Sequence, residues 1–105
     1  MSKKVSVIIK EPGKAPRHVH ISDSLKNLQA TVGGYIEAVT LAEDLVILCD
    51  EEGRLKGKER CCEISGVDFC GTIVLIGADG EEFCDLPYSF DCMKLLFPAL
   101  WLGVK

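Results

Sequence analysis

The side chains best suited to chemistry in this 105-residue sequence are six cysteines, at positions 49, 61, 62, 70, 84 and 92. A structural zinc site pairs thiolates as C-x2-4-C, because a short knuckle sets two sulfurs on one tetrahedron. The spacings 61–62, 62–70, 70–84 and 84–92 contain no such pair. Neighbouring residues of an extended chain face opposite sides, so Cys61 and Cys62 are expected to diverge. In a secreted mini-protein six cysteines would suggest three disulfides. Here the apolar stretch after Met1-Ser2-Lys3-Lys4 soon meets Lys10 and Glu11, which is no secretory h-region. The expectation is reduced thiols in a cytoplasmic protein, several of them packed as small hydrophobes. One reactive reading stands beside this: Cys61 or Cys62, near Arg60 and Lys58, would have its thiol pKa lowered by the cations. Catalysis by such a thiol needs a positioned histidine, and the chain has two.

Those two, His18 and His20, share a face if the segment is a strand, and so could bite one metal ion. No third ligand is visible, and the favoured reading is a solvent-facing pair on an edge strand; neither a metal nor another cofactor is expected. Asp50-Glu51-Glu52 lacks the alternating acids and terminal glutamate of a calcium loop and reads as a solvated turn. Gly33-Gly34 follows a helical pattern rather than opening one, so it reads as a C-cap and not as a phosphate cradle. Gly77-Ala78-Asp79-Gly80 joins two strand patterns as a hairpin turn. No Gly-x-Ser-x-Gly elbow occurs. Enzymatic activity is not expected.

Alternation places Val5, Val7 and Ile9 on one face of a strand over residues 4–10. Pro12-Gly13 turns the chain into a second strand carrying Val19 and Ile21. Ser22-Asp23-Ser24 supplies N-cap groups, and Leu25, Leu28 and Val32 form one helical stripe, giving a helix over 24–32. Residues 35–41 and 45–49 flank Ala42-Glu43-Asp44 as a hairpin, and Leu45 to Cys49 is apolar on both faces, as in a central strand. Residues 54–63 are polar and yield no element. Residues 69–76 read as one strand, with 81–84 as its hairpin partner. Asp85-Leu86-Pro87 is expected to open a second helix, with Phe90, Met93 and Phe97 along one side and Pro98 as its stop. The result is an α+β fold: a mainly antiparallel sheet of five or six strands built from hairpins, with two helices packed on one face. The chain reads as a single domain over 1–105, with a core of 4–97 and an apolar tail of 98–105.

Three strings then carry a resemblance: Val32-Gly33-Gly34-Tyr35-Ile36-Glu37-Ala38-Val39, Glu11-Pro12-Gly13-Lys14-Ala15-Pro16, and Cys49-Asp50-Glu51-Glu52-Gly53-Arg54-Leu55-Lys56-Gly57. Together they resemble the domain of unknown function 3846 family, small uncharacterised proteins of phages, plasmids and conjugative elements. The resemblance is strong over 5–57 and weak over 71–76. It implies a cytosolic protein of a mobile element, one that meets host defence, and carries no activity with it. After Gly57 the chain departs from the family pattern: Lys58-Glu59-Arg60-Cys61-Cys62 stands where relatives have a leucine-proline and then an asparagine-arginine pair.

A net charge of −4 and scattered basic residues argue against a phosphate-tracking surface for nucleic acid. No apolar run approaches the ~20 residues of a membrane span. Two functions remain. The first is an interaction or regulatory module serving a mobile element, blocking a defence component, with a protein partner or a second copy docking on Phe97, Leu100, Trp101 and Leu102. Those residues and Val104 are too many large apolar groups to leave wet, and docking back on their own domain is the simpler outcome. The second is a small-ligand or nucleotide-binding protein, or minor enzyme, with a loop-assembled site of Tyr35, Glu37, Arg54, Lys56 and Arg60.

Overall fold

The computed structural model describes residues 3–102. In chain order the elements are β1 (Lys4–Lys10), β2 (Arg17–Ser22), α1 (Leu25–Val32), β3 (Ile36–Ala42), β4 (Leu45–Asp50), β5 (Arg60–Ile64), β6 (Val67–Cys70), β7 (Ile73–Asp79), β8 (Glu82–Cys84) and α2 (Phe90–Leu96), followed by a 3-10 turn at Pro98–Trp101. The main sheet runs β2–β1–β7–β4–β3, with β8 paired to the far end of β7, and β5 and β6 form a separate ribbon. Every pairing is antiparallel. The α+β class and the six-stranded sheet agree with the pattern of the sequence.

The central strands β4 and β7 are apolar at nearly every position, so both faces of the sheet must be covered. On one face α1 sets Leu28 and Val32 against Val5, Val7, Ile9, Leu48, Val74 and Ile76. On the other, Ile8, Leu45, Ile47, Ile73 and Leu75 meet the β5–β6 ribbon, Met93 of α2 and Leu100 of the 3-10 turn. The two helices therefore lie on opposite faces, which corrects the expectation of one helical layer. A single layer would have left half of the apolar side chains of β4 and β7 in water.

Three further corrections have local causes. Residues 69–76 are two strands, broken at Gly71, whose φ of +84° turns the chain. The polar 54–63 segment rounds a turn and becomes β5, which hairpins into β6 through Ser65 and Gly66, both with positive φ (51° and 80°) as a two-residue primed turn requires. Helix α2 opens after Ser89, whose Oγ accepts from the Cys92 amide at 3.1 Å. The segment of Asp85 to Pro87 is instead held beside β1. Asp85 Oδ1 accepts from the Ser6 amide at 2.6 Å, and the Leu86 amide donates to the Ser6 carbonyl at 3.0 Å.

That junction makes Gly77 sensitive. A Cβ there would lie 2.0 Å from the Asp85 carbonyl oxygen, and backbone cannot swing aside as a flexible side chain can. Gly77→Ala should therefore destabilise the fold by about 3 kcal/mol or more, read from urea unfolding. A wild-type midpoint would show that the β8–α2 connection yields freely.

Candidate functional site

Two of the three strings of the resemblance meet in space, at the C-terminal end of α1. Ser24 caps α1 by accepting from the Asn27 amide, and Gly33 ends it in the left-handed region at φ +82°. The chain then enters β3, whose partner β4 ends on Asp50. The Asp50 side chain is 1% exposed. Its Oδ2 accepts from Lys58 Nζ at 2.7 Å and Lys56 Nζ at 2.9 Å, and its Oδ1 from the Glu52 amide at 2.9 Å. Lys58 Nζ also donates to the carbonyl of Val32 at 2.9 Å and of Gly33 at 3.3 Å, the orphan acceptors at the negative end of the helix. One carboxylate and two ammonium groups thus tie α1, β4 and the 51–58 turn together. Asp50 is held well below the usual carboxylate range, first by the Lys58 hydrogen bond and then by the Glu52 amide and Lys56, against the opposing effect of burial.

The two glycines serve this clamp for different reasons. Gly33 supplies the left-handed backbone. Gly34 supplies space: a Cβ there would lie 2.6 Å from Cγ and both carboxylate oxygens of Asp50. The reading of Asp50-Glu51-Glu52 as a solvated turn is corrected for Asp50, while Glu51 and Glu52 do face solvent.

The five proposed ligand residues are distributed over three clefts. Tyr35 and Lys56 line a depression of about 350 Å³ at the end of α1. Glu37 and Arg54 line a second, of about 360 Å³, with Cys49 and Asp68. Arg60 lines a third, beside Cys61 and Cys62. Each cation already has a carboxylate. Arg60 donates to Asp68 Oδ1 at 2.9 Å, Arg54 lies 3.5 Å from Asp68 Oδ2, and Lys56 is held by Asp50. Cys49, against Glu37, is pushed up to about 11 by burial and by the charges of Glu37 and Asp50, so its thiol stays protonated.

Cys61 and Cys62 do not diverge. The β5–β6 register pairs Arg60 with Cys70 and Cys62 with Phe69, leaving Cys61 as the extra residue of a bulge. Both side chains are consequently buried in the same cluster, between the ribbon and the sheet. Beside them lies Lys10, at the end of β1 on the face opposite Val5, Val7 and Ile9. It is fully buried, and its Nζ donates to the carbonyls of Glu11 (3.2 Å) and Lys14. Among the described residues no carboxylate lies within ion-pair distance of it. The Cys61 thiol donates to the Lys10 carbonyl at 3.6 Å; its contact with the neighbouring Cys62 sulfur, aided by the Lys10 and Arg60 charges, lowers the Cys62 pKa. The same contact, reinforced by burial, raises that of Cys61. Lys58, expected to influence these thiols, is spent on Asp50 instead. No disulfide joins any of the six cysteines.

His18 and His20 stand on edge strand β2 with ring centroids 5.9 Å apart, and His18 stacks on Phe90 at 5.9 Å. Among the described residues no cluster of three metal-ligating side chains occurs, and no helix is long and apolar enough to cross a membrane. Of the tail, Leu100 is fully buried in its own chain, Phe97 and Trp101 are half-buried against it, and Leu102 is exposed. Val104 lies outside the described residues. Sequence reasoning missed Lys10, Asp50 and Lys58 as structural centres. The signal within reach was the return of Lys56 and Lys58 shortly after an acidic turn.

Comparison with known proteins gives one match. The model of a family described as Domain of unknown function (DUF3846) matches residues 4–96. No curated protein and no solved structure matches the chain.

Proposed function

The chain belongs to the DUF3846 family, and on that premise we propose that it is a non-catalytic interaction module of a mobile genetic element, docking a protein partner through the surface of α2 and the 3-10 turn. The observation that carries this reading is the exposure of three large aliphatic side chains on that one unit: Leu95 at 84%, Leu96 at 52% and Leu102 at 71%. The inner side of the unit is committed to the core through Met93 and Leu100, so these leucines are not spare core residues. Fully burying such a side chain contributes ~1.5–3 kcal/mol, and large apolar groups left exposed together mark an interaction surface. The mobile-element setting rests on the resemblance of the Gly33-Gly34 and Asp50-Gly57 strings. Blocking of a host defence component is the action that setting favours.

The competing reading, an anionic small ligand or nucleotide, has less support. Arg54, Lys56 and Arg60 would each have to exchange a carboxylate already in place for the ligand's phosphate. The test is site-specific photo-crosslinking in cells that carry the element. A crosslinker at position 96 or 102 should trap one discrete protein, and a crosslinker at position 26 or 81 should not. Leu95→Glu should abolish the product. Equal, diffuse labelling from all four positions would defeat the proposal, and a product with twice the mass of the chain would identify the partner as a second copy.

A further inference from the structure

We propose that Cys61 and Cys62 form a dithiol exchange site for small disulfides, with Cys62 as the attacking sulfur and Cys61 as the resolving one. The argument starts from geometry. The bulge in β5 turns two adjacent side chains to the same side, which an unbroken strand would forbid. Both cysteines line an open cleft of about 450 Å³, together with Gly13, Glu59, Glu63 and Ala99. Behind them Lys10 is a fully buried ammonium with two carbonyl acceptors and no carboxylate among the described residues. A buried cation without a paired carboxylate is costly, and the charge of Lys10 favours a thiolate in the thiol pair. The contrast with Cys49 is chemical: Glu37 and Asp50 oppose a thiolate there, whereas Lys10 and Arg60 favour one at Cys62.

The reaction balances in two steps. The Cys62 thiolate attacks one sulfur of a disulfide RS–SR; that bond breaks, RS⁻ leaves and takes up a proton, and Cys62 carries SR. The Cys61 sulfur then attacks Cys62, the Cys62–SR bond breaks, and the proton of Cys61 goes to the second RS⁻. Two protein thiols are oxidised to one disulfide, and one small disulfide is reduced to two thiols. The rim selects the substrate class. Glu59 and Glu63 line the cleft, and the charge of Arg60 is largely met by Asp68. A cationic disulfide is therefore favoured over an anionic one.

The experiment treats the full chain with cystamine, alkylates the remaining thiols, and maps peptides by mass spectrometry. Chymotryptic cleavage after Leu55 and Phe69 leaves a fragment whose only cysteines are Cys61 and Cys62. In the wild type this fragment should lose two hydrogen atoms and retain no cysteamine. Cys61→Ser should stall with one cysteamine on Cys62. Cys62→Ser should react at least ~10-fold more slowly at Cys61, and oxidised glutathione should be slower than cystamine. Exposed Cys92 reports in every sample that the oxidant was active. Lys10→Met should slow the reaction of Cys62 and leave that of Cys92 unchanged, with circular dichroism confirming the fold of each variant. A persistent mixed disulfide on the wild-type fragment, or an unmodified fragment beside a modified Cys92, overturns the proposal.

Discussion

Asp50→Asn should lower the unfolding free energy by about 3 kcal/mol at pH 7, because it removes the anion at the centre of a buried cluster while leaving the cations in place. Lys58 would lose its shortest contact, 2.7 Å to Oδ2, and an amide nitrogen would face an ammonium group. The helix end would suffer too, since the position of Lys58 against the Val32 carbonyl depends on that carboxylate. Lys58→Met should also destabilise, by less, as it removes the shortest of three contacts to a carboxylate that is 1% exposed and leaves Lys56 and the Glu52 amide in place. Gly34→Ala should reproduce much of the loss with every charge intact, because its Cβ occupies the place of the carboxylate. The pH dependence follows from the direction of the Asp50 shift. Its pKa is depressed in the folded state, against ~3.9 when unfolded, so the unfolded chain binds the proton first. The stabilisation is complete above about pH 5 and is lost as the pH falls through about 4 and below. Urea unfolding of wild type and Asp50→Asn should therefore differ most near neutrality and converge toward pH 2. A constant gap across that range would show that the charge on Asp50 is not what stabilises the clamp.

Leu100→Ala should cost about 3–5 kcal/mol, and Leu102→Ala almost nothing, though the two lie in the same apolar tail. Leu100 is fully buried against Met93 and the sheet face that carries the β5–β6 ribbon, so its truncation leaves a cavity that close packing cannot refill. Leu102 is 71% exposed, and substitution at such a position falls within about 0.5 kcal/mol. A chain ending at Phe97 should be still less stable than Leu100→Ala. It also loses Trp101, whose ring meets Phe90 edge-on at 5.5 Å with Lys94 above both. Thermal and urea unfolding of the three variants separate the core function of the tail from the docking proposed for its outer surface. Equal, small effects at positions 100 and 102 would mean that the tail does not belong to the core.

Much of the fold is legible residue by residue. The alternation of Val5, Val7 and Ile9 marks β1 over its full length, and the Ser24 cap with the Leu28–Val32 stripe marks α1 to within a residue. The β5–β6 ribbon was hidden by its own bulge: Cys61 interrupts the period of two, leaving Ser65-Gly66 as the one local sign of a hairpin. Helix α2 was placed too early because Asp85 has the chemistry of a cap but spends its carboxylate on the Ser6 amide, 79 residues away.

By itself, then, the sequence determined the elements that short-range physics governs: strands by alternation, α1 by its cap and stripe, turns by glycine, and a sheet too apolar to leave either face bare. Only the tertiary structure decided which polar groups leave water. Asp50, Lys58 and Lys10 have unremarkable neighbours along the chain. Val32 and Gly33 meet the 51–58 turn only once the sheet has assembled, and Lys10, whose ammonium is held by the nearby Glu11 and Lys14 carbonyls, leaves water only when the distant cysteine ribbon packs over it.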